Sequence, residues 1–125
     1  MAVTEYDVTR IPGGNLRVSR SEFAAVWAAA EHRDASGVDW YAGGVVDTCR
    51  WLAGRSVRRP ATGRTGIAYE ERIEDESVAA ESLAVRRPDL VGLQPGWCEG
   101  VRATLRWAWR RDGGPPVSAV GGPSE

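Results

Sequence analysis

The sequence predicts an all-α protein: a small four-helix domain with a short N-terminal hairpin or extended arm. Four segments repeat apolar residues every three or four positions, the spacing that gives a helix one buried face. The 125 residues suffice for one core, and six tryptophans can fill it. We expect an arm or hairpin at 1–20, a helical domain at 21–111 and a disordered, Gly/Pro-rich tail at 112–125.

The N-terminal segment alternates loosely between apolar and polar residues. The turn sequence PGGN at 12–15 separates two short runs with β propensity. Such a pattern is typical of a hairpin. An extended arm lying on the helices is the alternative, because an isolated hairpin is marginally stable.

The first helix is predicted over 21–33, capped by Ser19 or Ser21. A short connector at 34–37 follows, so the second helix should fold back antiparallel to the first. One buried stripe is expected on this first helix. Its members are Phe23, Val26, Trp27 and Ala30.

The second helix is predicted over 39–53, with Asp39 as its N-cap. The pair Gly43-Gly44 inside it indicates either close approach of another helix or a kink. The core-facing residues of this helix are Ala42, Val45, Cys49 and Leu52.

Two further helices are predicted over 67–86 and 95–111, the first stopped by Pro88 and the second begun by Pro95. Their core-facing residues are Tyr69, Ile73, Ala80, Leu83, Val101, Leu105 and Ala108.

Glu76 is the one acid aligned with the buried stripe of the third predicted helix. A buried carboxylate must be paired or hydrogen-bonded. We therefore predict a structural ion pair between Glu76 and an arginine of a neighbouring helix: Arg50, Arg102 or Arg106.

Enzymatic and cofactor-dependent classes find little support. Cys49, Cys98 and His32 lie singly on different elements, unlike the paired ligands of zinc sites, so no metal or other cofactor is predicted. A Cys98 nucleophile would need His32 as its base, and nothing in the sequence brings them together. The GRTG segment at 63–66 lacks the lysine of a phosphate loop. Both cysteines are predicted to be buried free thiols.

Arginine and tryptophan, both enriched at binding hot spots, are abundant here. The loop 54–66 carries four arginines and no acid, and the end of the fourth helix surrounds an outward-facing Trp107 with arginines. We predict a non-enzymatic adaptor or regulatory module that binds another protein or a second copy of itself. The candidate partner-binding residues are Arg55, Arg58, Arg59, Arg64, Arg106, Trp107, Arg110 and Arg111.

The alternative function is accessory nucleic-acid binding through the same loop 54–66 and the Arg/Trp end of the fourth helix. An aromatic side chain among arginines can stack on bases. The net charge of −1 and a loop too long for a helix-turn-helix argue against it.

No membrane segment is predicted, because the longest apolar stretch, AAVWAAA, is too short to span a bilayer. The N-terminus has acidic residues and no apolar centre, unlike a signal peptide. We expect a cytoplasmic protein.

Three runs carry a resemblance: GVDWYAGGVVDTCRWLAG, TGRTGIAYEERIEDE and PGWCEGVRATLRWAWRRDGGPP. They resemble short uncharacterised actinobacterial proteins, over about residues 19–116. All 16 basic residues are arginine, which agrees with a GC-rich origin. The resemblance implies no activity and no site residues.

Replacing Trp27 with alanine tests the predicted face of the first helix. Loss of a buried tryptophan should cost about 3–5 kcal/mol in the free energy of unfolding, measured by urea denaturation. A loss below about 1 kcal/mol would show that this helix does not face the core.

Overall fold

The computed structural model of the protein describes residues 3–35, 37, 39–55 and 57–118, apart from the side chains of Arg58 and Thr65. Of the predicted disordered tail, residues 119–125 lie outside the described residues.

The all-α prediction is confirmed. In the described ranges the chain forms seven helices, one 3₁₀ turn, one π-helical turn and a minimal antiparallel ladder of two strands. The helices are α1 (Glu5–Thr9), α2 (Arg20–Asp34), α3 (Trp40–Leu52), α4 (Glu70–Glu81), α5 (Leu83–Arg86), α6 (Pro88–Leu93) and α7 (Trp97–Leu105). The other elements are the 3₁₀ turn Gly13–Asn15, the π-helical turn Arg106–Arg110, β1 (Val57–Arg58) and β2 (Thr65–Gly66).

The first two predicted helices match α2 and α3 closely. Ser19 caps α2 by accepting a hydrogen bond from the Glu22 amide, and Asp39 caps α3 by accepting one from the Ala42 amide. Every residue of both predicted stripes is buried. Their apolar spacing and caps are local signals, so the sequence predicts them well.

The third predicted helix is shorter than expected at its start and broken near its end. Residues 67–69 are not helical, and Tyr69 is exposed rather than in the core. Tertiary contacts hold the preceding chain extended: β2 pairs with β1, and the Trp51 indole donates a hydrogen bond to the Gly66 carbonyl. At the other end, Ser82 leaves helical geometry and separates α4 from α5.

The segment after Arg87 forms a helix, α6, where the apolar spacing predicts none. Pro88 occupies its first turn and Asp89 follows it, an arrangement that begins helices. Pro88 thus both stops one helix and starts the next.

The fourth predicted helix is replaced by α7 and the π-helical turn. The helix begins at Trp97, two residues after Pro95, because Gly96 adopts a left-handed conformation with φ 99°. In the π-helical turn the Ala108 carbonyl accepts a hydrogen bond from the Arg17 amide of the N-terminal segment. The turn thereby ties the end of this helix to the start of the chain.

Of the two alternatives for the N-terminal segment, the hairpin is not formed, and the arm is not wholly extended. Thr4 and Asp7 form a reciprocal capping box that starts α1, and the T-x-x-D spacing is a local signal for such a helix start. The PGGN sequence makes the 3₁₀ turn, where buried Asn15 donates hydrogen bonds to the carbonyls of Leu52 and Ala68. This segment therefore packs on the helices.

The described part of the tail, 112–118, also packs. Val117 is buried, and the Tyr41 hydroxyl donates a hydrogen bond to the Pro116 carbonyl. The first residues of the predicted tail therefore contact the core, through the side chain of Val117.

At the centre of the fold α3 and α7 touch through glycines. A Cβ atom on Gly44 would collide with the Trp97 carbonyl oxygen, and one on Gly100 would collide with the Tyr41 carbonyl oxygen. Of the two explanations for the Gly43-Gly44 pair, the structure therefore shows the close approach of another helix. Among the described residues, no helix is both long and apolar enough to cross a bilayer.

Replacing Gly100 with alanine tests this contact. Overpacking costs about 1–3 kcal/mol, and the opposing atoms are backbone. We expect a net loss of about 1–2 kcal/mol in the free energy of unfolding, even though alanine favours a helix by about 1 kcal/mol. Gly92→Ala in α6 is the matched control: its Cβ would meet nothing within 4 Å, so it should be neutral or stabilising. Equal effects of the two changes would contradict the proposed role of the contact.

Candidate functional site

The arginines predicted to bind a partner do not gather on one surface. Arg55 pairs with Asp7 at 3.1 Å, and its guanidinium lies 5.3 Å from the centre of the Trp27 ring. From the end of α7, Arg106 pairs with Glu81 at 2.9 Å. These charges are neutralised within the molecule.

Arg110 is likewise occupied by α4. It donates hydrogen bonds to the Ser77 hydroxyl at 2.6 Å and to the Glu74 carboxylate at 3.1 Å. The neighbouring Trp109 indole donates to the same carboxylate at 2.8 Å. Acidic residues of α4 thus bind the arginine-rich π-helical turn that follows α7, because opposite charges on adjacent elements attract each other.

Trp107 is buried, so the prediction of an outward-facing Trp107 is wrong. Its ring stacks on Phe23, with 6.2 Å between the ring centres and 8° between their planes. Trp107 follows Gly100 by seven residues and Thr104 by three, and both of these residues are buried, so it lies on their face of the helix. The apolar stripe of Val101 and Leu105 did not reveal this second buried face. The nucleic-acid alternative loses its proposed stacking residue.

The four remaining candidate arginines differ in their surroundings. Arg64 and Arg111 are exposed, and Arg111 adopts a left-handed conformation with φ 57°. The side chain of Arg58 lies outside the described residues. Arg59 lines a cavity between α3 and α6.

Glu76 is fully buried as predicted, but the predicted arginine partner is wrong. Its carboxylate accepts hydrogen bonds from the amides of Ala61 and Thr62 at 2.8 and 3.0 Å, and from the Thr62 hydroxyl at 2.7 Å. The three arginines considered as partners pair elsewhere, Arg50 with Glu31 and the other two with Glu81. Glu76 therefore anchors the loop 54–66, which carries Ala61 and Thr62, to α4.

A second buried acid joins α2 to α3. Glu31 accepts two hydrogen bonds from Arg50, at 2.9 and 3.0 Å, and one from the Trp27 indole at 3.0 Å. This hydrogen bond to Glu31 is the main reason why the pKa of Arg50 is raised. The sequence offered one signal: Glu31 lies four residues after Trp27, on the same side of the helix.

The thiols are free and buried, as predicted. Burial raises the pKa of Cys49 and of Cys98, which keeps both in the unreactive thiol form. His32 is exposed on α2. Across the described residues, no three His, Cys, Asp or Glu side chains are grouped so as to hold a metal ion.

Apolar side chains are exposed around α5 and α6. Of the eight large apolar residues that are exposed in the described chain, four lie between positions 78 and 93. This segment is only a small part of the described chain, so exposed apolar residues are concentrated in it. We call this set the α4–α6 apolar surface. Its members are Val78, Val85, Val91 and Leu93.

The charged residues beside this surface are engaged locally. Arg87 donates two hydrogen bonds to Asp89, at 2.7 and 3.0 Å, and Arg86 donates to the Ala79 carbonyl at 2.9 Å. The sequence gives one indication of this surface: the apolar residues of the DLVGL run at 89–93 lie between two predicted helices and belong to neither buried stripe.

A cavity of about 500 Å³ lies behind α6. Its walls are α3, the loop 57–63, α6 and the start of α7. Leu90 contributes an apolar wall, and Asp47 accepts a hydrogen bond from the Trp97 indole at 2.9 Å. Burial raises the pKa of Asp47, partly offset by this bond.

No family model, curated protein or solved structure matches the chain. The resemblance to short actinobacterial proteins therefore stays a prediction.

Replacing Glu76 with alanine removes an acceptor shared by three donors of the loop. A stranded buried donor costs about 1–3 kcal/mol, so we expect a loss of about 3 kcal/mol in the free energy of unfolding, measured in urea. Asp75→Ala, an exposed neighbour on α4, is the matched control and should change stability by less than about 0.5 kcal/mol. A loss below about 1 kcal/mol for Glu76→Ala would contradict the anchoring role.

Proposed function

We propose that the protein is a non-enzymatic, protein-binding module whose partner is a second copy of itself. The observation that carries the proposal is the α4–α6 apolar surface. Exposed apolar residues that are concentrated in one part of a protein often mark a binding site, whereas single scattered ones need no explanation. On this surface Val85 and Leu93 are 83% and 73% exposed.

The position of the apolar residues supports a protein partner. They lie on the consecutive helices α4, α5 and α6, which are joined only by Ser82 and Arg87, so they are close along the chain. A surface of apolar side chains suits the centre of a protein interface, where charged residues are depleted.

The charges beside the surface favour a second copy as the partner. In a twofold dimer the same patch meets itself, so the patch must be self-complementary. Arg87 and Asp89 place one charge of each sign in this region and already neutralise each other. This ion pair therefore adds no net like-charge repulsion when two copies meet.

The proposal includes a cytoplasmic location and no enzymatic activity. Free thiols such as Cys49 and Cys98 are typical of a reducing compartment. Cys98, the candidate nucleophile, is buried and has a raised pKa. These features support a binding protein rather than a cysteine-dependent enzyme.

Sedimentation velocity tests the self-association. We expect a dimer that forms as the protein concentration is raised through the micromolar range. Leu93→Asp and Val85→Asp should each weaken the dimer by about tenfold or more, because each buries a charge in an apolar contact.

Ile67→Asp is the matched control. Ile67 is 56% exposed but lies outside the α4–α6 apolar surface, so its replacement should leave the dimer unchanged. A protein that stays monomeric into the millimolar range, or a dimer weakened equally by all three changes, would overturn the proposal.

A further inference from the structure

The cavity behind α6 contains one arginine without an acidic partner. Arg59 lines this cavity, and none of the ion pairs seen among the described residues includes it. Its Nε–H is buried, and the described chain supplies no hydrogen-bond acceptor for it. This Nε is packed against Gly66, whereas the side chain as a whole is only half-buried, so the remaining N–H groups of the guanidinium are the ones that a ligand can reach.

The other two arginines of the cavity are already neutralised. Arg50 forms its two hydrogen bonds with Glu31, and Arg87 forms two with Asp89. The uncompensated positive charge of the cavity is therefore that of Arg59. A guanidinium presents a planar set of donors that suits a carboxylate or a phosphate.

The carboxylate of Asp47 restricts which chemical groups a ligand in this cavity could have. The partner that the structure gives its carboxylate is the neutral indole N–H of Trp97. A second anionic group on the ligand would be repelled by Asp47, whereas a hydrogen-bond donor would be accepted. Between these polar groups, Val57, Pro60 and Leu90 offer an apolar wall.

We propose that this cavity is a binding site for a small organic monoanion. The acid group of the ligand lies against the Arg59 guanidinium, its apolar body fills the space beside Leu90, and a donor group faces Asp47. A volume of about 500 Å³ is within the range of small-molecule sites. None of the residues that line the cavity belongs to the α4–α6 apolar surface of the proposed dimer.

The loop that carries Arg59 is held in place, so the site is preformed. Buried Glu76 accepts hydrogen bonds from the amides of Ala61 and Thr62, two and three residues after Arg59. The amide of Arg59 itself donates to the Arg64 carbonyl at 2.6 Å, which closes the loop. A preformed site loses less conformational freedom on binding.

Two probes of nearly equal shape test the proposal: 4-hydroxybenzoate, a monoanion with a donor at its far end, and 4-hydroxybenzamide, its neutral counterpart. Each is titrated into ¹⁵N-labelled full-length protein and followed by NMR. We expect 4-hydroxybenzoate to give saturable shifts of the Trp97 indole and of the amides of 61–63. We expect 4-hydroxybenzamide to bind at least about tenfold more weakly, because it cannot form the charge-assisted hydrogen bonds.

Variants assign the recognition to particular residues. Arg59→Gln should weaken 4-hydroxybenzoate binding by about tenfold or more, while Arg64→Gln, an exposed arginine of the same loop, should have no effect. Asp47→Asn should weaken binding of 4-hydroxybenzoate more than that of benzoate, which lacks the donor. The spectrum of each free variant reports whether it is folded.

Three outcomes would overturn the proposal: no saturable shifts, equal binding of the two probes, or unchanged binding in a folded Arg59→Gln variant. If Arg59→Gln does not fold, the comparison of the two probes on the unaltered protein still decides between an anion site and a plain apolar cavity.

Discussion

The rest of the fold depends on the close contact of α3 with α7 through Gly44 and Gly100. Each glycine lets the backbone of the other helix approach to a distance that any side chain would prevent. Thr48 and Thr104 follow these glycines by four residues, and each hydroxyl donates to the glycine carbonyl of its own helix. Both threonine hydroxyls thus find a hydrogen-bond acceptor within their own helix and do not push the two helices apart. The helices α2 and α4 and the N-terminal segment pack around this centre.

Buried acids fix the segments that surround this centre. Glu31 binds Arg50 and so joins α2 to α3, while Glu76 holds the loop after β1 by two amides and a hydroxyl. In both cases the carboxylate is stabilised by several donors, which offsets the cost of removing its charge from water. By fixing that loop, Glu76 also sets the position of Arg59 at the wall of the cavity.

The helix α6 links the two proposed functional regions. Leu90 lines the cavity, whereas its neighbours Val91 and Leu93 are exposed. Arg87 and Asp89 neutralise each other at the start of the helix, so neither region gains a net charge from them. A partner copy and a small ligand would therefore contact different residues of the same element.

The sequence by itself determined α2 and α3, their caps Ser19 and Asp39, their buried stripes and the burial of Glu76, because these depend on local spacing along one helix. Only the tertiary structure decided the partners. Arg50 pairs with Glu31 rather than Glu76 because the packing of α2 on α3 sets which groups meet. Trp107 is buried because it shares a helix face with Gly100 and Thr104, and only the packing of α7 makes that face part of the core. The cavity exists only where four separate segments converge. Contacts between residues that are distant in the chain produce no periodic pattern in the sequence, so the sequence alone could not predict them.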